Sequence, residues 1–146
     1  MTTGVLEFDS VKELVGVLGR LGPEIRADLE PTMHDAGEIL ADRARSNASY
    51  SSRIPGAVYV RTPLSSIAAV VVGVDAGAAP EARVLELGNA GVGGPTFRHP
   101  VWGNDWRVVQ DTQPFLMPAL NETQVEIEAL IAESVAATSR HLFATL

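Results

Sequence analysis

The chain has 146 residues, 46 % of them hydrophobic and 20 % charged, enough to bury one core and arguing for a single domain spanning 1–146. Its formal charge of -7 argues against a dedicated nucleic-acid binder, whose sequence-independent affinity comes from clustered positive charge that releases counterions. The absence of cysteine excludes disulfide frameworks, thiolate metal sites and cysteine nucleophiles.

The opening MTTGVLEFDS lacks the basic and apolar regions of a signal peptide. The longest apolar run, IAAVVVGV at 67–74, is far shorter than the roughly 20 residues that span a bilayer. A soluble intracellular product without membrane association is expected. Ser10 followed by Glu13 has the spacing of a capping box, and Val11, Leu14, Val15 and Leu18 share one helical face, which predicts a short helix over 10–19. Gly19, Gly22 and Pro23 end it. Pro23 suits a first helical position, and Ile25, Leu29, Met33, Ala36, Leu40 and Ala44 then recur every three or four residues, predicting a long helix over about 23–47. Pro31 falls inside this pattern and is expected to kink or divide it.

SNASYSSRIPG, 46–56, reads as a loop. Arg43, Arg45, Arg53 and Arg61 lie around it and read as a solvated helix end with ion pairs. AVYVRT, 57–62, and SIAAVVVGVD, 66–75, are dense in β-branched residues and close in sequence, which predicts an antiparallel hairpin. The near-continuous apolar run in the second predicts a strand buried on both faces, by its own helices or by a neighbouring subunit. Ala79 to Leu87 is compatible with a short helix or a strand. The glycine-rich GNAGVGGPT, 88–96, lacks the lysine and hydroxyl of a phosphate-binding loop and reads as a flexible connection.

WRVVQD, 106–111, predicts a further strand, so the sheet region extends over about 57–111 and encloses an irregular loop at 89–105. Beyond Pro114, a final helix is expected over about 118–141, with Leu120, Ile127, Ile131, Val135 and Leu142 on one face and Glu122, Glu126, Glu128 and Glu133 elsewhere. The fold class is therefore α+β: an antiparallel sheet packed by a long N-terminal helix and a C-terminal helix, with a long irregular loop.

Little in the chain points to catalysis. His34, His99 and His141 are scattered without the i, i+4 spacing of a zinc helix. Ser46, Ser49, Ser51 and Ser52 lack a nucleophile elbow, and nothing singles out a catalytic pair among the eighteen acids. No catalytic residue, metal or cofactor is assigned, and the chain reads as a non-enzyme. The segment FRHPVWGNDWRVVQDTQPFLMPAL, 97–120, stands out because it holds both tryptophans, two of the four phenylalanines and three of the nine prolines. Large apolar groups on an irregular segment must be covered, either by this subunit's core or by another chain. Phe97, Trp102, Trp106 and Phe115, with Arg98, His99 and Arg107 beside them, are the candidate interface residues, aromatic residues and arginine being enriched at interface hot spots.

Four pieces in order, ADRARSNA at the end of the long helix, SYSSRIPGAVYV, EARVLELGN, and FRHPVWGN followed by QPFLMPAL, resemble the small neck proteins of long-tailed bacteriophages. These are also called tail-completion or head-to-tail connector proteins, and the likeness includes the actinobacterial-phage branch. It covers roughly residues 23 to 140. The family's glutamate-glycine pair is matched by Glu86 and Gly88 with Leu87 between, and its proline-phenylalanine turn by Pro114, Phe115 and Pro118. The threonine-glycine-leucine signal after the first helix is replaced by SSRIPG.

The resemblance implies a structural virion protein that forms a ring, usually a hexamer, in the phage neck and is assembled in the host cytoplasm. Implied partners are further copies of itself, a head-closure or connector protein, and a tail terminator or tail tube protein. Genome DNA passes through the lumen without sequence-specific binding. Six copies would carry six times -7, or -42, and acidic groups facing the lumen would repel the phosphates. Residues 89–113 are then expected to form an arm reaching a neighbour, with Trp102 and Trp106 as anchors and Pro100 and Pro114 limiting its flexibility. A tail terminator that caps the tube is the neighbouring reading. A small acid/base hydrolase using buried acids and His99, or a stand-alone binding module, are the readings from other classes.

Overall fold

A computed structural model of the chain describes residues 23–62, 70–88, 96–101 and 104–144, with side chains described for all of these except 23–25, 97–101, 104–108, 142 and 143. The expected helix at 10–19 lies outside the described residues. In chain order the elements are α1 (Pro23–Asn47), α2 (Ile54–Ala57), β1 (Val58–Arg61), β2 (Val71–Val74), α3 (Ala82–Leu87), β3 (Thr96–Val101), β4 (Asn104–Asp111) and α4 (Leu116–Ala144). The molecule is α+β, as its patterning indicates.

α1 runs from Pro23 to Asn47 as one helix, so Pro31 does not divide it. The two long helices lie antiparallel. Leu29, Met33 and Ala36 of α1 are buried with Ile131 of α4, flanked by Ile127, Leu130 and Val135. Thr32 Oγ1 and Ser134 Oγ, 2.8 Å apart, add a polar tie between the helices. Toward the other end, Ala41, Ala44 and Ala48 pack with Ile54, Val58, Leu85, Phe115 and Ala119 in the main core. Alanines on this face let the partners approach closely while offering helix-favouring side chains.

The face of α4 differs from the expected one at Leu120, which is 36 % exposed. Ala119, Thr123 and Ile131 are the buried positions, about one residue round the helix from Leu120. Thr123 is buried without cost to its hydroxyl, which donates to Ala119 O at 2.7 Å.

β1 and β2 form one antiparallel pair and β3 and β4 another, so the single sheet expected over 57–111 is two separate ribbons. The first ribbon lies on α1. Gly37 makes this possible: a side chain there would overlap Val70 and come within 2.7 Å of Val60 Cγ1. Ser51 Oγ accepts from the backbone N–H of Arg53 and Ile54, both at 3.2 Å, and starts the α2 turn within the loop expected over 46–56. In β2, Val71 is exposed and Val72 to Val74 are half-buried, so the burial expected on both faces is only partial among the described residues. Residues 82–87 are helical, which settles the open assignment there.

Three of the four arginines read as ion-paired, Arg43, Arg45 and Arg53, meet carboxylates, whereas Arg61 donates to the Tyr59 hydroxyl at 3.1 Å. Arg43 meets Glu122 at 3.4 Å and Arg53 meets Glu81 at 3.9 Å. Arg45 meets Asp42 at 2.8 Å and Glu38 at 3.2 Å, and it donates to Val58 O at 3.0 Å. Burial works against its charge, but the hydrogen bonds and charges of Asp42 and Glu38 outweigh it and hold the guanidinium above its usual range.

Candidate functional site

The segment expected as a loop over 89–105 contains a strand. Thr96–Val101 pairs with Asn104–Asp111, from Thr96↔Asp111 to Val101↔Asn104. The pairing of Val101 with Asn104 leaves two residues between them, Trp102 and Gly103, which lie outside the described residues. A two-residue connection with glycine second is a hairpin signal, and it is the cue by which the sequence marks this element. Pro100 within β3, and Gly93, Gly94 and Pro95 before it, mask the alternation on the first side of the turn.

The ladder is irregular between Pro100 and Val101, leaving Asp105 and Trp106 without cross-strand partners. Proline has no N–H to contribute, and a bulge at such a position bends the ribbon and re-aims the residue it displaces. In the regular part, Phe97 and His99 stand opposite Gln110 and Val108, whereas Arg98 stands opposite Val109 and Pro100 opposite Arg107. Phe97, Arg98, His99 and Arg107 thus have places in the backbone register of this ribbon, and Trp102 lies outside the described residues.

Phe115 belongs with neither. It is 1 % exposed and sits in the main core with Ala44, Ile54, Leu85 and Ala119, so its ring serves this chain and offers nothing to a neighbour. Its expected place at an interface is corrected accordingly. Pro114 starts the connection into α4, and the apolar residue that follows it is the natural one to drop into the core beside the helix.

Beyond their own pairing, β3 and β4 make no more than slight contact with any other described element. The ribbon is instead fastened at its root. Tyr50 donates from its hydroxyl to Gln113 O at 2.6 Å, and Gln113 N donates to Leu85 O at 3.0 Å. Asn47 Nδ2 reaches Phe115 O at 3.3 Å. Glu86 completes the fastening: its Oε2 accepts from Phe115 N at 2.7 Å and Leu116 N at 3.0 Å, and its Oε1 accepts from Met117 N at 2.8 Å.

The start of α4 has no serine, threonine, aspartate or asparagine to cap it, since Phe115 occupies that position. Glu86, some thirty residues upstream, supplies a full negative charge to the orphan N–H groups and to the positive end of the helix dipole. Gly88 closes α3 with φ 72, a conformation that glycine adopts without strain, and its N–H returns to Val84 O at 2.8 Å. Glu86 is thereby held at the end of a short, terminated helix, aimed at α4.

Glu86→Ala is expected to lower the unfolding free energy by about 2–3 kcal/mol, because three donors lose a charged acceptor at once. Glu86→Gln, which keeps one carbonyl oxygen, should recover part of that loss. Urea denaturation reads both: the midpoint falls in the order Gln then Ala with an unchanged slope.

Burial, followed by the charge of Glu86, pushes the Tyr50 phenol above its usual pKa of 10.0. A proton held more tightly in the folded state stabilises it fully below pH 10 and ceases to do so as pH rises through the folded value.

Elsewhere, His34 is a surface group 3.8 Å from Glu38. Among the described residues no group of three or more histidine, cysteine, aspartate or glutamate side chains gathers to hold a metal, and no helix is long and apolar enough to cross a membrane. An open depression is lined by Tyr59, Arg61, Val74, Asp75 and Ala76, with the Arg61 guanidinium 4.7 Å from the Tyr59 ring centre. His141 lies in the last turn of α4, and the Ser51 hydroxyl accepts from the backbone of its own turn. Compared with protein-family models, curated proteins and solved structures, the chain matches none.

Proposed function

We propose that this chain is a structural, non-enzymatic subunit that closes with copies of itself into a ring, a hexamer, in the head-to-tail neck of a long-tailed bacteriophage particle. The observation that carries the reading is the β3–β4 ribbon: it holds Trp106, flanks Trp102 in sequence, makes no more than slight contact with any other described element, and is tied at its root by Glu86, Tyr50 and Asn47. A two-stranded ribbon is at best marginally stable alone in water. A rigid root with an uncovered ribbon is the form expected of an arm whose partner is another chain.

In a closed ring each subunit presents two different surfaces that fit each other, and rotation brings the last copy back to the first. The arm supplies one surface. Glu126 and Glu133, seven residues apart on one face of α4, are exposed and provide an acidic side that would repel genome phosphates from a lumen wall. Adjoining partners in this reading are the head-closure protein on one side and the tail terminator or tail tube protein on the other.

Sedimentation of the purified chain with its tube and head-closing partners tests the proposal. The expected result is a discrete ring that co-sediments with one of them. A monomer at all concentrations, indifferent to both, would remove the support for a neck subunit and favour a stand-alone binding module.

A further inference from the structure

We propose that the open depression on the first ribbon is a docking site for an acidic peptide segment, in which the Arg61 guanidinium takes the segment's carboxylate and Asp75 takes a backbone N–H beside it. The inference stands on the depression alone and does not need the ring reading.

The site is built from a glycine upward. Tyr59 stands opposite Gly73 and Arg61 opposite Val71, so by alternation these four share the face of the ribbon turned from α1, whereas Val60 lies against Gly37 of that helix. A glycine inside a strand forgoes side-chain packing and often marks a close approach. Here the approaching group is the Tyr59 phenol, whose oxygen lies 2.6 Å from where a Cβ on residue 73 would be. A larger residue at 73 would push the ring aside.

Lying across the neighbouring strand, the phenol carries the guanidinium. Arg61 is 4.7 Å from the ring centre, and its Nη2 donates to the Tyr59 hydroxyl at 3.1 Å. The two contacts fix the orientation of a side chain on an exposed residue. A guanidinium holds five N–H donors in a rigid fork, and this bond uses one. The others keep the geometry that meets a carboxylate with two parallel hydrogen bonds. An arginine ordered before its ligand arrives loses less freedom on binding.

Asp75 gives the site its second pole. Its Oδ1 accepts from Gly77 N at 2.8 Å, which holds the side chain at the turn after β2. Arg61 and Asp75 thus line one depression of about 550 Å³ while each is oriented by a different group, with Tyr59, Val74 and Ala76 completing the lining. A space of that order holds a side chain and the peptide units beside it. Opposite charges fixed in one depression select a ligand that is itself bipolar. A peptide presents such a pair, a side-chain carboxylate next to backbone N–H groups. A phosphate backbone offers negative charge alone, which Asp75 opposes.

Arg61 is exposed, so its variants test the site without disturbing the core. The probe is the tripeptide glycine-aspartate-glycine, acetylated and amidated, titrated against the labelled chain and followed by the NMR shifts of Arg61 Nε–H and of the Tyr59 and Ala76 amides. Saturable shifts are expected, with affinity about tenfold lower for the asparagine counterpart and for Arg61→Ala, and an intermediate loss for Arg61→Lys, which keeps the charge without the fork. Equal binding of the asparagine peptide, undiminished binding to Arg61→Ala, or displacement of the peptide by equimolar inorganic phosphate overturns the site. Sedimentation of Arg61→Glu then finds the source of the segment. Lost self-association places it on a second copy, and lost co-sedimentation with a neighbouring protein places it there; both unchanged would overturn the docking role. A parent chain that forms no rings leaves the peptide titration standing, so the two readings fall separately.

Discussion

Replacing Phe115 with alanine should lower the unfolding free energy by about 3–5 kcal/mol, the largest effect of any single substitution considered. The ring is 1 % exposed and among the largest fully buried side chains, in contact with a core made mostly of alanine, Ala44, Ala48, Ala57, Ala82 and Ala119. Alanines cannot collapse into the space a phenyl ring leaves, because their methyl groups are fixed to backbones held by the helices. The cavity term therefore adds to the lost transfer energy in full. Phe115→Leu, which keeps most of the volume, should cost much less. Chemical denaturation checks both, and an alanine variant within 1 kcal/mol of the parent would show that the core closes around the gap.

The second large effect concerns assembly and leaves the fold alone. Trp102→Ala with Trp106→Ala should abolish rings at micromolar concentration while the unfolding midpoint of the monomer barely moves. If each indole is an anchor worth 2 kcal/mol or more, losing two weakens each seam by roughly 4 kcal/mol, or about a thousandfold in affinity. Sedimentation velocity reads the result. A ring population equal to the parent's would reject the arm, and a large loss of monomer stability would place the indoles in the subunit's own core.

These two predictions separate residues that lie within twenty positions of one another and look alike as sequence. Phe115 and Trp106 both sit in one aromatic-rich stretch, so composition assigns them the same role. What divides them is the end of β4. Beyond Asp111 the chain turns back under Tyr50 and Glu86 and drops Phe115 into the core, a fact of three-dimensional contact with no local signature.

The long helices were legible because burial repeats every three or four residues over many turns, as at Leu29, Met33 and Ala36. Leu120 misled because hydrophobicity alone does not distinguish the row facing α1 from its neighbour. The helical start of α4 was hidden in another way. Local capping rules look for a partner within three residues, and Glu86 acts from about thirty away. The β3 strand escaped because Pro100 interrupts its alternation, although the two residues left between Val101 and Asn104 carry a hairpin's turn signal. The depression at Tyr59 and Arg61 has no counterpart in periodicity at all, since it arises where glycine at 73 lets a ring fold across its strand.

Intrinsic tryptophan emission, followed through a dilution series with molecular mass measured on the same samples, tests the arm most directly. The chain's two tryptophans are Trp102 and Trp106, so the signal reports only the ribbon and its connection. The account predicts emission of sheltered indoles in the ring and a shift to that of hydrated indoles as the mass falls to one subunit. Sheltered emission from a single subunit, unchanged by assembly, would contradict it.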